Sequence, residues 1–457
     1  MMETAAVVIC GAGIAGTAAA YALAVGHGMK NVALVDERPP LTLTSDKSSE
    51  CYRNWWPSQV MVRFMNRSID LLEKLADESD NYFHLNRRGY VYVAASRETA
   101  VSLQQSAAHI ATLGAGDLRI HDGRGTLYQP ADPHAYRQQP TGADLLLGSD
   151  LIRAHFPFVT PEATAVLHVR RAGWLSAQQL GMYLWQQARE HGARLVNGRV
   201  THVSQTNGAV SGVRVAAAGQ TIHLSTGRFV NAAGPFLRQV GQMVGVELPI
   251  TNELHGKIAL EDPLGIIPRD APMMIYNDAV TPPWSDDERA YLAEQAETRH
   301  LLGALPPGAH FRPEGGPGSQ TLLMLWPYHT AVQDTPRWPL QFDPEYPDVA
   351  LRGLACLAPG LAAYFERRGK PVIDGGHYTR TVENRPLIGP LPLAGAYVVG
   401  ALSGYGIMAA PAAGELLAAH ITDDSLPDYA PAFLPSRYED PAYQAQAARW
   451  AAEDGQL

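Results

Sequence analysis

The stretch that decides the fold is VVICGAGIAGTAAAYAL, residues 7–23, where an apolar run meets three closely spaced glycines. We interpret residues 7–9 as a short buried strand and the alanine-rich residues as a helix. Gly11 allows the sharp turn between them, Gly13 lets a pyrophosphate approach the backbone, and Gly16 lets the helix lie close to the strand. The stretch therefore predicts a dinucleotide-binding βαβ unit, with a tight turn in an unrelated α/β fold as the alternative.

Residues 31–38, NVALVDER, predict the second strand of this unit. The strand ends at Asp36, the acid expected to accept hydrogen bonds from the hydroxyls of an adenosine ribose, with Glu37 as the alternative acid. Strand, glycine turn, helix, strand and acid follow one another in the order that a dinucleotide site requires.

The composition limits what is built on this unit. With 457 residues, of which 46% are hydrophobic, the chain is long enough for two domains. The formal net charge of −9 is spread without runs, so neither a nucleic acid nor an anionic membrane surface is an expected partner. The three cysteines form no CxxC pair and no histidine cluster has ligand spacing, so we expect no metal site and no disulfide framework.

Neither a signal peptide nor a transmembrane segment is expected. The first residues lead directly into the nucleotide strand, and no later apolar run approaches about 18 residues. The sequence therefore predicts a soluble, cytoplasmic protein.

A second glycine turn lies near the other end of the chain. Residues 396–401, AYVVGA, predict a buried strand, and residues 403–407, SGYGI, predict a turn that opens a helix. A helix N-terminus favours an anion, and a reduced flavin carries negative charge at N1 and C2=O. Two such turns are expected where one long cofactor is held from both ends, which favours FAD over NAD alone.

Several motifs resemble one family when they are taken in order. The chain is similar to the D-amino-acid oxidase superfamily of FAD-dependent amine and amino-acid oxidoreductases, which includes sarcosine oxidase, dimethylglycine dehydrogenase, glycine oxidase and dye-linked L-proline dehydrogenase. The motifs are GAGIAG at 11–16, GWLSAQQL at 173–180, VNAAGPF at 230–236, YTRTVENRPLIGP at 378–390 and GALSGYGI at 400–407. The resemblance is looser outside the FAD-binding part.

The resemblance implies an α/β fold with a Rossmann-type, glutathione-reductase-like FAD-binding domain. A discontinuous α+β substrate domain on a mixed or antiparallel sheet accompanies it. We predict the FAD-binding domain at 1–80, 150–249 and 371–430, the substrate domain at 81–149 and 250–370, and a loosely packed C-terminal tail at 431–457.

The resemblance also implies the cofactor contacts. The first glycine turn and Asp36 hold the ADP half, Val200 lies on the adenine side, Gly234 lies near the cofactor, and residues 403–407 approach the flavin ring. The expected contacts are Gly11, Gly13, Ile14, Ala15, Gly16, Asp36, Glu37, Val200, Ala233, Gly234, Ser403, Gly404, Tyr405, Gly406 and Ile407.

Four side chains are candidates for the catalytic site. Arg53 lies where relatives place an arginine close to flavin and substrate, the alternative being a surface arginine that covers a tryptophan. His329, in LWPYHT, resembles an active-site histidine of the sarcosine oxidase branch, the alternative being a structural histidine. Tyr378 either contacts the substrate or packs its strand. Arg312 binds a substrate carboxylate or forms an exposed salt bridge.

Three departures from the family pattern affect the substrate and the cofactor. Met408 replaces a carboxylate-binding lysine of sarcosine oxidase, and Tyr378 stands where glycine oxidase places its substrate arginine. Gly376 and His377 replace the region in which some relatives carry a flavin-linked cysteine, so we expect non-covalent FAD.

The family chemistry removes a hydride from the carbon next to an amine, and the resulting imine hydrolyses. The resemblance therefore implies oxidation of a secondary or tertiary amine, such as an N-substituted or cyclic amino acid. A 2-hydroxy acid as substrate, and a non-catalytic assembly or scaffold flavoprotein, are the alternatives. Leu325 falls at the position of a lysine that assists oxygen in the sarcosine oxidase branch. We therefore expect a dehydrogenase that uses a quinone, dye or protein acceptor in preference to oxygen.

Overall fold

The computed structural model describes residues 2–125, 127–316, 318–330, 332–333, 335–367 and 369–453. Within these residues, strands belong to three larger sheets and one small pair. The strands are β1 Met2–Thr4, β2 Val7–Cys10, β3 Val32–Asp36, β4 Cys51–Arg53, β5 Tyr90–Ala94, β6 Leu118–His121, β7 Ala143–Leu147, β8 Ala165–Val169, β9 Ala172–Trp174, β10 Arg194–Asn197, β11 Arg199–Thr206, β12 Ala209–Ala217, β13 Gln220–Ser225, β14 Phe229–Asn231, β15 Thr251–Glu261, β16 Met273–Tyr276, β17 Ala309–Pro313, β18 Thr321–Leu325, β19 Val372–Arg380, β20 Leu387–Pro390 and β21 Ala396–Gly400.

Helices connect and cover the sheets. The α-helices are α1 Ile14–Tyr21, α2 Gln59–Glu78, α3 Arg97–Ile110, α4 Ser149–His155, α5 Ala177–Glu190, α6 Leu237–Gln242, α7 Asp286–Glu294, α8 Tyr346–Leu357, α9 Gly406–Thr422 and α10 Pro441–Glu453. Ser176 caps α5, and its hydroxyl accepts a hydrogen bond from the N–H of Gln179 at 3.3 Å. In the described part of the chain, no helix has both the length and the apolar character that crossing a bilayer requires.

The nucleotide-type sheet has the order β10-β3-β2-β14-β21-β20. Its first five strands pair in parallel, and β20 is antiparallel to β21. Strands from opposite ends of the chain thus lie side by side, with β2 and β21 both next to β14. This arrangement confirms the predicted α/β class with a Rossmann-type domain.

The second large sheet has the order β19-β15-β18-β17-β16-β5-β8-β7-β6. Two of its pairings are parallel and the others are antiparallel, which confirms the predicted mixed sheet. Both β8 and β19 lie in this sheet, although their residues fall within the ranges predicted for the FAD-binding domain. The domain boundaries themselves stay a prediction.

A four-stranded sheet, β1-β13-β12-β11, contains the antiparallel hairpin of β12 and β13. It adjoins the nucleotide-type sheet through apolar side chains, among them Val200, Val215 and Leu224, which share a core with Val8 and Val35. This contact places the start of β11 beside the end of β3.

The expectation of a loosely packed tail is wrong for residues 430–439. Phe433 is fully buried, and Arg437 forms a buried ion pair with Glu383 at 2.8 Å. The hydroxyl of Tyr438 donates to the same carboxylate. Because the partner of the arginine lies more than fifty residues earlier in the chain, the local sequence gave no sign of this contact. Residues 454–457 of the predicted tail lie outside the described residues.

Candidate functional site

A cavity of about 680 Å³ lies between the nucleotide-type sheet and the mixed sheet. Its lining includes the carboxyl ends of β2, β3, β14 and β21, together with residues of β19. Ligands of open α/β sheets bind at this end of the strands. Asp36 and Val200 line it together with Ser403, Gly404, Gly406 and Ile407.

The first glycine turn forms the floor of the cavity. Gly11 has φ +111°, and a Cβ added there would lie 2.4 Å from the carbonyl oxygen of Ala232. A Cβ on Gly16 would lie 1.9 Å from the carbonyl oxygen of Gly11. Both glycines are therefore required by close backbone contacts. The N-terminus of α1 is left open towards the cavity, where its backbone N–H groups favour a pyrophosphate.

The acid at the end of β3 supports this turn. One carboxylate oxygen of Asp36 accepts a hydrogen bond from the N–H of Ala12 at 2.8 Å, and the other accepts from the N–H of Arg38 at 2.9 Å. Glu37 is more exposed and pairs with Arg38 at 2.9 Å. Both acids line the cavity. The contact of either acid with a ribose stays a prediction.

The second glycine turn closes the other end. Ser403 adopts φ +46°, and its N–H donates to the carbonyl of Thr379 at 2.9 Å. Helix α9 then begins at Gly406 with its N-terminus at the cavity. The hydroxyl of Tyr405 donates to the carbonyl of Asn384 at 2.6 Å, which fixes the turn from behind.

The structure brings most of the expected cofactor contacts to one surface. Gly16 and Tyr405 lie behind this lining, where they support the two turns. The expected contacts that line the cavity are Gly11, Gly13, Ile14, Ala15, Asp36, Glu37, Val200, Ala233, Gly234, Ser403, Gly404, Gly406 and Ile407.

Sequence reasoning missed the segment 42–48, which also lines the cavity. The hydroxyl of Ser45 accepts a hydrogen bond from the N–H of Ile14 at 3.0 Å, directly at the N-terminus of α1. The hydroxyl of Thr44 donates to the carbonyl of His377 at 3.4 Å. The hydroxyl-rich run TLTSDKSS after β3 was the available signal.

The lining fits FAD. The cavity combines two helix N-termini with a glycine cradle, and it contains buried polar atoms that bond to none of the described groups. These atoms are the Oγ of Ser403, the Nδ1 of His377 and the Oε1 of Gln239. Buried polar atoms ordinarily have partners, so a polar ligand that supplies donors and acceptors suits this lining.

The mixed sheet forms the opposite side of the site. Paired residues of neighbouring strands point to the same face of a sheet. The pairs Tyr92–Ile275, Ile275–His310 and His310–Leu325 therefore share one face, which is continued on β15 and β19 by alternation. We call this surface the site face, defined by Tyr90, Tyr92, Glu253, His255, Lys257, Ile275, His310, Leu325 and Tyr378.

Several contacts connect the site face with the FAD-binding part of the chain. The ammonium group of Lys257 donates to the carbonyl of Ser48 at 3.0 Å, and burial lowers its pKa. A Cβ on Gly404 would lie 2.3 Å from the ring of Tyr378, so this ring packs on the second glycine turn. Of the residues that define the site face, Tyr378 also lines the cavity.

Arg53, on β4, adjoins the site face through Tyr92. Its side chain donates to the hydroxyl of Tyr92, and its guanidinium lies 4.7 Å from the ring centroid of Trp56 and 5.9 Å from that of Tyr90. Arg53 is 7% exposed. The surface position given in the alternative is therefore wrong, whereas its contact with a tryptophan is present in Trp56.

Tyr378 is held from its second side by His255, a residue that sequence reasoning missed. The two rings are stacked with centroids 3.8 Å apart and an interplanar angle of 12°. The imidazole also contacts the carboxylate of Glu253 at 3.2 Å, and this hydrogen bond lowers the pKa of Glu253. Burial raises the pKa of Tyr378 to about 12, so its phenol stays protonated at neutral pH.

Of the four catalytic candidates, Tyr378 lines the cavity, whereas Arg53, Arg312 and His329 are not among its lining residues. Arg312 is fully buried, donates to the carbonyl of Ser49 at 2.9 Å and pairs with Glu50 at 3.1 Å and with Glu314. The salt bridge expected as the alternative is thus present, although it is buried and not exposed. His329 is exposed, and its ring lies 5.9 Å from that of His300.

Comparisons with known proteins agree with this geometry. The family model for FAD dependent oxidoreductases named DAO matches residues 6–420. None of the curated proteins matches the chain. The fold is similar to L-proline dehydrogenase from P. horikoshii, at 19% identity and a TM-score of 0.73, covering 96% of this chain and 99% of that one.

Two further solved structures share the fold. Glycine oxidase from Geobacillus kaustophilus has 17% identity and a TM-score of 0.71, with 95% of this chain and 99% of that chain covered. Iminodiacetate oxidase from a Chelativorans species has 17% identity and a TM-score of 0.67, with 94% and 98% covered.

Proposed function

The chain belongs to the DAO family of FAD-dependent oxidoreductases, and from this premise we propose that it oxidises an amino acid at the carbon next to its amine nitrogen. The proposed substrates are secondary or tertiary amines, such as N-substituted or cyclic amino acids. FAD, when bound, accepts the hydride in this chemistry. The resulting imine is released from the enzyme and hydrolyses in water.

One observation carries the proposal: a buried arginine lies beside the partly accessible site face. A buried guanidinium among aromatic rings suits a substrate carboxylate, since a planar pair of N–H donors matches its two oxygens. The hydroxyl of Tyr92 and the rings of Trp56 and Tyr90 hold the guanidinium of Arg53 in place. In this proposal Arg53 binds the carboxylate, while Tyr378 forms the wall that holds the rest of the substrate against the second glycine turn.

The cofactor contacts have defined roles in the proposal. The N-terminus of α1 and the hydroxyl of Ser45 hold the pyrophosphate, and the N-terminus of α9 stabilises negative charge on the reduced ring. We also propose non-covalent binding. Acid precipitation tests this point, because free FAD stays in the supernatant, whereas a covalent bond leaves the yellow colour in the protein pellet.

We further propose a dehydrogenase that passes electrons to a quinone, dye or protein. Leu325 places an apolar side chain on the site face next to His310. The nearby cation of Lys257 already donates to the carbonyl of Ser48. In this proposal the position of Leu325 supplies no preorganised cation that would assist the reduction of oxygen.

The decisive experiment is anaerobic bleaching of the bound flavin. The FAD-loaded enzyme is mixed with primary, N-methyl, N,N-dimethyl and cyclic amino acids, with the same amines lacking a carboxylate, and with 2-hydroxy acids. We expect bleaching by amino acids that carry a substituted nitrogen. Bleaching by hydroxy acids alone would overturn the amine assignment, and bleaching by none would favour an assembly or scaffold flavoprotein.

A further inference from the structure

His310 lies at the centre of the site face and has no part in the contacts described so far. It stands on β17 between Ile275 and Leu325, in the interior of the mixed sheet. Its neighbour Phe311 points to the other face and is fully buried. His310 is nevertheless partly accessible, so open space adjoins its ring on the site face.

The proton on this imidazole has a fixed position. The Nδ1 of His310 lies 2.7 Å from the carbonyl oxygen of Gly308. A carbonyl oxygen only accepts hydrogen bonds, so Nδ1 carries the hydrogen and Nε2 presents its lone pair. Burial, with a smaller contribution from nearby charges, lowers the pKa of His310 to about 4. The ring is therefore a neutral hydrogen-bond acceptor at physiological pH.

The groups around His310 determine what it accepts. Arg53 and His255 lie close enough to disfavour a positive charge on its ring. His255 contacts the carboxylate of Glu253, which also pairs with Arg380 at 3.8 Å, and Tyr378 stacks on His255. A guanidinium close to this ring disfavours an ammonium ion beside it and favours the neutral form of an amine.

We propose that Nε2 of His310 accepts a hydrogen bond from the N–H of the substrate amine, and that this contact selects secondary amines over tertiary ones. The inference rests on the proposed function and narrows its substrate class. A neutral secondary amine donates its N–H and keeps its lone pair available for the reaction. A neutral tertiary amine has no N–H, so it leaves the acceptor unpaired in a desolvated site.

A binding experiment tests the contact without any turnover. The FAD-loaded enzyme is titrated by calorimetry with pyrrole-2-carboxylate, which has an N–H donor, and with N-methylpyrrole-2-carboxylate, which lacks it. Both are planar carboxylates that resist this oxidation. We expect pyrrole-2-carboxylate to bind about 10-fold more tightly or better in the wild type, since a buried acceptor is left unpaired by the N-methyl compound.

Three variants separate the contact from packing. In His310→Phe the ratio of the two dissociation constants is expected to fall to within about 2-fold, because the ring remains and the acceptor is lost. His310→Gln retains an acceptor oxygen and should keep part of the preference. His109→Phe makes the same change at an exposed position of α3, and it should leave the ratio at the wild-type value.

Each outcome supports or overturns the inference. An unchanged ratio in His310→Phe overturns it, as does a wild type that binds neither compound or does not discriminate between them. Loss of FAD from both His310 variants would assign the residue to cofactor retention and would also overturn it. The proposed amine oxidation fails separately, in the bleaching experiment, because the binding ratio is measured with compounds that the enzyme does not oxidise.

Discussion

The floor of the cavity and the site face are built from different parts of the chain. The floor uses backbone: two glycine turns, two helix N-termini and close approaches in which a Cβ would collide with a carbonyl oxygen. The site face uses side chains that alternate along β15, β17, β18 and β19. Because the floor is formed by backbone, its shape depends on the spacing of the glycines and suits one cofactor. The site face is formed by side chains, so substitutions there can change the substrate without changing the fold.

Substitutions in the glycine turns of the floor are expected to have the largest effects on FAD content. A Cβ on Gly11 collides with Ala232 and has an unfavourable φ, so Gly11→Val should lose both stability and FAD. The nearest atom to a Cβ on Gly406 is 3.5 Å away, so Gly406→Val should keep its fold while its side chain obstructs the cavity. Circular dichroism and FAD content of the purified variants distinguish the two cases.

Gly26→Ala is the matched control, since no atom lies within 4 Å of an added Cβ at that position. It should leave the fold and the FAD content unchanged. Normal FAD content and normal flavin reduction in Gly406→Val would refute the placement of the flavin at the N-terminus of α9.

Substitutions at or beside the site face should lower the activity while FAD stays bound. Arg53→Gln removes the cation proposed for the substrate carboxylate, and we expect kcat/KM for an N-substituted amino acid to fall about 100-fold or more. The same amine without its carboxylate should be affected much less. An equal loss for both compounds in steady-state assays would remove Arg53 from the proposed carboxylate site.

The floor is the part of the site that the sequence predicts well. Glycine spacing, two apolar strands and the acid at position 36 specify backbone geometry within short segments, and the family motifs follow in order. The segment 42–48 was missed because its hydroxyl groups reach the N-terminus of α1 only after the chain has left β3. No short-range pattern distinguishes such a run from an ordinary polar loop.

The site face was predictable only in part. Tyr378 and Leu325 were singled out through family motifs, whereas His255 and His310 stand on separate strands that share a face only through their pairing with β18. Every second residue of a strand points to the site. The sequence alone does not reveal the register between β15, β18 and β17 that brings the two histidines to the same face. Arg312 illustrates the same limit, because its partners Glu50 and Glu314 become neighbours only in the fold.

Leu325 provides a test of how easily the site face is altered. Leu325→Lys introduces a cation beside His310, and stabilisation of the charge that develops on oxygen should speed reoxidation of the reduced flavin by about 10-fold or more. Photoreduced enzyme is mixed with air-saturated buffer in a stopped-flow instrument. Wild-type reoxidation as fast as substrate turnover would contradict the proposed dehydrogenase.

The partly buried His310 also predicts a pH effect on stability. Its pKa is about 4 in the fold and about 6.5 in an unfolded chain, so the unfolded state binds the additional proton between these values. Stability should therefore fall as the pH decreases from 6.5 to 4. In His310→Gln this component is absent, so the melting temperature should change less between pH 7 and pH 4.5. An identical pH dependence in both proteins would show that the imidazole is not held neutral.

The smallest effect is expected at His329, where sequence motif and structure differ. Strand β18 ends at Leu325, and the following residues turn away from the site face. Trp326 donates its ring N–H to the carbonyl of Pro306 at 2.9 Å, and Tyr328 stacks on Tyr346, so both side chains are anchored in the core of the mixed sheet. These anchors leave His329 exposed at the surface.

Surface substitutions of this kind change stability by less than about 0.5 kcal/mol. His329→Asn should accordingly leave kcat/KM and FAD content within about 2-fold of the wild type. A 10-fold loss of kcat/KM with intact FAD would return His329 to the active site and would show that residues beyond the strand end take part in the site face.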